Sequence, residues 1–133
     1  MDNKVKRISR IENFFSMLLT KKGISSHIFV GDDGLPPTTH ESWDDFVLVD
    51  VNQQTDYGPF SKGSASIYLY ARPKGSGPTK NVALLDSMEG ALDEVLDNSN
   101  DEHYVISENW RNAGYDQDRN FHYNVVNVSV TVR

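Results

Sequence analysis

The chain has 133 residues, with 13 Lys and Arg against 19 Asp and Glu for a formal net charge of -6, 38% hydrophobic residues, 24% charged residues and no cysteine. This is the length of one ordinary domain, expected to span 1–133, able to fold without disulfides or metals and too apolar to be a disordered segment. The acidic balance has the wrong sign for gripping phosphate backbones, and the lack of cysteine excludes disulfides, thiolate metal sites and thiol nucleophiles.

The first predicted element runs from Asn3 to Lys22, where Val5, Ile8, Ile11, Phe14, Phe15, Leu18 and Leu19 recur at helical spacing. Gly23, after two lysines, reads as its stop: glycine tolerates a left-handed cap, and cations suit the negative end of the helix dipole. Lys4, Lys6, Arg7 and Arg10 share this helix with Asp2 and Glu12, so the basic patch reads as a solvated face. Its apolar positions are interrupted throughout, unlike a signal-peptide core, and no run approaches the ~20 apolar residues that cross a bilayer. The expectation is a protein without membrane association, suited to a reducing cytoplasm.

Ile28 to Val30 predicts a brief strand ended by Gly31, Asp32, Asp33 and Gly34, and the loop Leu35 to Ser42 holds Pro36 and Pro37. Phe46 to Val51 carries Val47, Val49 and Val51 on one face and Phe46 and Leu48 on the other, the pattern of a central strand buried on both sides. Gln53 to Gly63 is polar and turn-rich and predicts a long hairpin arm or loop. Ala65 to Arg72 alternates, with Ile67, Leu69 and Ala71 opposite Tyr68 and Tyr70, giving one aliphatic and one aromatic face.

After the linker Pro73 to Thr79, a second helix is predicted from about Lys80 to Asp97, with a stripe of Val82, Leu85, Met88, Leu92 and Val95. A strand begins at Tyr104 to Ile106, and the polar stretch Asn109 to Asn120 leads into a closing strand, Phe121 to Arg133. In that last strand the apolar residues switch from odd positions (Phe121, Tyr123, Val125) to even ones (Val126, Val128, Val130, Val132). Either a bulge near Val125 and Val126 re-aims the side chains, or the two ends of the strand are covered on different faces, by helices at one end and by a neighbouring subunit at the other. The fold class is therefore α+β: a mostly antiparallel sheet of four to five strands with two helices packed on one face, in the order α-β-β-β-α-β-β.

Few constellations carry chemistry. Lys74 to Lys80, KGSGPTK, lacks phosphate-loop spacing and reads as a strand-to-helix connection. Asp97, Ser99, Asp101, His103 and Glu108 fall in a calcium-loop register, but Glu102 stands where the sharp turn needs glycine and strand character follows where a helix should enter. His27, His40, His103 and His122 show no paired spacing, the Asp32–Asp33 and Asp44–Asp45 pairs sit near turns, and no nucleophile-elbow serine occurs. No catalytic residue, cofactor site or metal site is expected. Trp43, Tyr57, Phe60, Tyr68, Tyr70, Trp110, Tyr115, Phe121 and Tyr123 instead lie mostly on or beside strands, where aromatics serve either a core or a contact with another chain.

The helix VKRISRIENFFSMLL, the loop LPP before DDFVLVDV, the turn DYGPF before SASIYLYAR, the helix NVALLDSMEGALDEVL and the closing YVISENWRNAGYDQDRNFHYNVVNVSVTVR resemble, along nearly the whole chain, the tail completion and tail terminator family of long-tailed phages. The resemblance implies a non-enzymatic protein that forms a ring, expected to be hexameric, at the head-proximal end of the tail. Such a ring stops tube polymerisation and docks onto the head connector protein, contacting itself and the tail tube protein while DNA only passes through the channel. The implied location is the virion tail, and the host cytoplasm before assembly. The Gly31 to Asp45 loop is longer than the common family pattern. Two readings from other classes stand beside this one: a soluble adaptor domain that binds a protein or peptide through its aromatic sheet face, and a small hydrolase using scattered Asp and His.

Overall fold

Two helices lie on one face of a mixed, mostly antiparallel sheet in the computed structural model, which describes residues 8–20, 23–31, 43–51, 55–75, 77–100 and 102–133. In chain order the elements are α1 (Ile8–Thr20), β1 (Ile28–Val30), β2 (Asp45–Val51), β3 (Thr55–Asp56), β4 (Ser61–Ala71), α2 (Val82–Asp97), β5 (Tyr104–Asp116) and β6 (Phe121–Val132). Apart from the two-residue β3, which pairs with the start of β4, this is the expected order α-β-β-β-α-β-β in an α+β fold. Across the sheet the strands run β1-β2-β4-β6-β5. Only the β1–β2 pair is parallel.

The helical stripe in α1 does what its spacing predicts: Ile11, Phe15 and Leu19, four residues apart, are buried, whereas Met17 on the far side is 67% exposed. Gly23 adopts φ +61 beyond the helix, and its amide bonds back to the Thr20 carbonyl at 3.2 Å. Positions 3–7, 21 and 22 of the expected first helix, and the proline loop at 35–42, lie outside the described residues. In α2, Asn81 caps the first turn by accepting from the Leu84 amide at 3.2 Å, and Leu85, Met88, Leu92 and Val95 face the sheet.

Both helices cover one set of strand positions. Val47 and Val49 of β2, Ala65, Ile67, Leu69 and Ala71 of β4, and Val126, Val128, Val130 and Val132 of β6 join the helix residues in one core. Burying each large side chain of this kind contributes roughly 1.5–3 kcal/mol. The register dictates this grouping, because Ile67 stands opposite both Val49 and Val126, and directly opposed residues project from the same face.

Two expectations need correction. The bulge lies not near Val125 and Val126 but in the neighbouring β5, where the register shifts between Glu108 and Trp110; β6 pairs with β4 without a shift from Ser61–Val132 to Ala71–His122. Of the two readings of β6, the surviving one has opposite faces covered at its two ends. Val126 to Val132 pack under the helices, and Phe121 and Val125 are buried on the other side. Second, the polar stretch from Asn109 is mostly strand: β5 continues to Asp116, and the turn occupies only the next four residues. As an edge strand exposed along most of its length, β5 is held by its backbone ladder to β6 and shows no alternation of apolar residues. The arm at 53–63 contains a hairpin in which β3 and β4 frame the segment Tyr57 to Phe60, closed by a Tyr57 amide to Phe60 carbonyl bond of 2.8 Å. β4 accordingly begins at Ser61, four residues before the expected start.

Replacing Phe15 by Ala should lower unfolding free energy by roughly 3–5 kcal/mol, because a large buried ring leaves a cavity in the helix-side core, whereas Met17→Ala should stay within about 0.5 kcal/mol. Equal losses in urea denaturation would show that the wrong face of α1 has been assigned to the core.

Candidate functional site

Opposite the helices, the sheet carries aromatic rings where an antiparallel sheet with one solvated face would carry polar side chains. Phe46, Tyr70 and Phe121 are buried there, with Trp43, Leu48, Tyr68 and Tyr123 packed half-buried against them. Phe46 stacks on Tyr70 at 4.3 Å between ring centroids and meets Phe121 edge-on at 5.1 Å. Tyr123 links Tyr70 at 5.3 Å to Tyr68 at 5.8 Å, and the Arg72 guanidinium lies 5.1 Å above the Phe121 ring. At the β1 edge, Trp43 stacks on His27 at 3.8 Å and on Phe29 at 5.6 Å.

Tyr123 extends onto the edge strand because β5 places Gly114 directly opposite it. A Cβ on Gly114 would collide with the Tyr123 ring, so the missing side chain is what lets this ring lie across β5. Four residues before Gly114 and on the same face, Trp110 stands 49% exposed, beside the bulge. A polar strip borders the rings: Asn127 donates to the Ser66 hydroxyl at 3.0 Å and accepts from the Asn109 amide at 2.9 Å, and the Ser129 hydroxyl donates to Asn109 at 2.9 Å. The bulge turns Asn109 into this strip, so buried Asn127 and Ser66 are satisfied without the helices.

The nine aromatic residues singled out in the sequence therefore separate into three groups. Tyr68, Tyr70, Phe121 and Tyr123 converge, with Trp110 nearby, but Tyr70 and Phe121 lie beneath the surface and support it from within. Tyr57 and Phe60 form a stacked pair, 5.2 Å apart, at the tip of the β3–β4 hairpin, 56% and 36% exposed. Tyr115 faces the helix side, where it packs against His122 at 4.7 Å and donates to Asn120 at 2.5 Å. Trp43 joins the first group from the β1 edge, and sequence reading missed Phe29, Phe46 and Leu48 as members of the same surface. The alternation of β2 put Phe46 and Leu48 together, but nothing in it named the tyrosines across β4 as their neighbours.

The other constellations are dispersed. Ser99 donates to the Leu96 carbonyl at 2.9 Å as part of the α2 ending, Glu108 sits on a strand and pairs with Arg111, and Asp101 lies outside the described residues, so the calcium register is not gathered into a loop. No group of three or more potential metal ligands occurs among the described residues. His27, His103 and His122 are in separate places, on Trp43, against the Arg133 carbonyl at 3.3 Å and against the Pro78 carbonyl at 2.6 Å, while His40 lies outside the described residues. Asp45 accepts from the Ser25 hydroxyl at 2.5 Å, a local tie between the β1 approach and β2. Lys74 and Thr79 bridge the KGSGPTK segment into a tight turn. Among the described residues no helix is long and apolar enough to cross a membrane.

One charged cluster fastens the edge strand to the helix layer. Arg111 of β5 reaches Glu89 at 2.9 Å and Asp93 on α2, and Glu108 on its own strand at 2.5 Å. Glu108 and Asp93 hold the guanidinium even further above its ordinary range, against the opposing effect of partial burial, so it stays charged throughout the accessible pH range.

Compared with models of known protein families and with curated proteins, the chain matches none.

Burial, assisted by the Asp116 carboxylate, pushes the Tyr70 phenol from 10.0 up to about 12. The folded state thus favours the neutral phenol, so its contribution to stability is complete below pH 10 and is lost as pH rises toward about 12. Tyr70→Phe should flatten the fall in stability across that window and remove the last step of tyrosinate absorbance; an unchanged alkaline profile would contradict the burial of this hydroxyl. Gly114→Ala should cost about 1–3 kcal/mol by displacing Tyr123 from β5, with a matching change in near-ultraviolet circular dichroism.

Proposed function

We propose that the chain is a structural tail completion protein of a long-tailed phage or prophage. It assembles from the host cytoplasm as a ring at the head-proximal end of the tail, stops tube growth and docks to the head connector, while DNA passes through the channel. The observation that carries this reading is the apolar surface opposite the helices. Among the described residues no helix covers it, yet it presents half-buried Tyr68 and Tyr123 and exposed Trp110. Phe46, Tyr70 and Phe121 are already buried within the monomer, but the exposed parts of Tyr68, Tyr123 and Trp110 add nothing to it, and apolar surface left open in this way suits contact with another chain.

Further support comes from the distribution of apolar residues. A ring needs two different patches per subunit, because each copy offers one surface to the copy before it and another to the copy after it. The exposed Tyr57–Phe60 tip and the Tyr68–Tyr123–Trp110 surface are two such patches on opposite stretches of β4 and its neighbours. The net charge of -6 suits a channel that must not retain phosphate backbones.

The aromatic face also favours a second reading, an adaptor domain that captures a protein or peptide. Light scattering after size exclusion, across concentrations and with the tube protein of the same tail, separates the two. A ring-sized species alone, or one that forms on tube ends and blocks their extension, is the expected result. A monomer that neither assembles nor caps tubes would overturn the structural reading and leave the adaptor.

A further inference from the structure

Resting on the ring reading above, we propose that neighbouring subunits join head to tail, the Tyr57–Phe60 tip of one copy seating on the Tyr68, Trp110 and Tyr123 surface of the next. The occupant of the aromatic face is thus a second copy of this chain, and the contact is a face contact, not an extension of the sheet.

The knob and the surface belong to the same strand but cannot meet within one subunit. From Ser61, where the tip joins β4, to Tyr68 is seven residues of extended chain, roughly 23 Å, and the tip projects past Ser61 away from Tyr68. Two complementary apolar patches at separate places on one molecule satisfy each other only between copies, and they do so heterologously. The tip is also preorganised for insertion. Its two rings are already stacked, and the segment between them is closed by the Tyr57–Phe60 backbone bond, with Gly58 at φ +91 making the turn.

Charge follows the same division. Lys62, exposed at the base of the tip, stands opposite Thr131 and projects from the aromatic side of the sheet. The exposed acids around the aromatic surface are Asp50, opposite Ser66 on β2, with Asp44 before β2 and Asp118 in the β5–β6 turn. The two arginines near that rim are turned inward, Arg72 over Phe121 and onto the Trp43 carbonyl, and Arg119 onto Asp116. A cationic base beneath the knob therefore meets a carboxylate rim around the socket.

The alternative route, adding a strand to the β5 edge, is obstructed by the chain's own side chains. Asn100 accepts from the Ile106 amide at 3.2 Å, and Asn112 accepts from the Ala113 amide at 2.8 Å, so amides along this edge are already engaged. Arg111, between them, is drawn onto α2.

The lack of cysteine makes the contact directly testable. Tyr57→Cys and Asn112→Cys proteins, the second labelled on the strand floor beside Tyr123, are mixed and treated with a short bismaleimide. The expected result is a covalent dimer in the mixture and none in either protein alone, with a ladder up to the ring size when one chain carries both substitutions. Separately, Tyr57→Ala with Phe60→Ala should shift the light-scattering mass to the monomer, with the far-ultraviolet circular dichroism of the parent chain retained. Assemblies that persist in this double variant, or that link 57 to 57 or 112 to 112, would overturn the knob-and-socket contact while the ring reading survives. An unsubstituted chain that stays monomeric alone and with tube protein would overturn both.

Discussion

The unshifted pairing of β4 with β6 is the constraint on which the rest of the structure depends. With Ser61 opposite Val132 and Ala71 opposite His122, every side chain of the two central strands is assigned to a face. A slip of β6 by one residue against β4 would carry its valines out from under the helices, leave Ile67 and Leu69 there, and bring Tyr123 in. The helix core and the aromatic surface are therefore two products of a single register, and neither can be altered without the other.

What flanks this pair differs on its two sides. On one side β2 repeats the split, with Val47 and Val49 under the helices and Phe46 beneath the aromatic surface. On the other, β5 has few apolar residues to bury, so it is secured by other means: its ladder to β6, the Arg111 cluster to α2, and the Asn109–Asn127–Ser66 bonds at the bulge. The polar strip satisfies buried amide and hydroxyl groups that would otherwise demand water, which lets the surface beside the rings be polar without being costly. Gly114 then yields its own side-chain volume to Tyr123. The edge strand thus acts as a shelf for the aromatic surface more than as a source of hydrophobic stability.

This arrangement makes a surface suited to recognition by shape. Tyr70 and Phe121 are locked from below by stacking on Phe46 and edge contacts, so the half-exposed Tyr68 and Tyr123 have little freedom left to lose on contact. Two acidic groups near it are tied into local bonds. Asp45 bonds Ser25, and Asp116 pairs with Arg119. A rigid apolar platform with an exposed apolar knob elsewhere on the same molecule is the division of surface on which the proposed ring rests.

Much of the architecture could be read from residue order, because periodicity directly records what each element buries. The four-residue spacing of Ile11, Phe15 and Leu19 and the alternation of Ile67, Tyr68, Leu69 and Tyr70 specify a helix with one buried stripe and a strand with two apolar faces. The switch of apolar residues along the final strand left a bulge or coverage on opposite sides equally open, and only the unshifted pairing with β4 decided for the second. The start of β5 at Tyr104 to Ile106 was legible, but its continuation to Asp116 escaped detection because an edge strand needs only backbone partners there, and those leave no mark on its side chains. Which aromatics share a surface was likewise undetermined by order alone: Tyr123 and Tyr115, eight positions apart, lie on opposite faces, whereas Phe46 and Phe121, distant in the chain, touch. Local pattern determines how a segment divides its own faces, but only strand pairing decides whose side chains lie next to them.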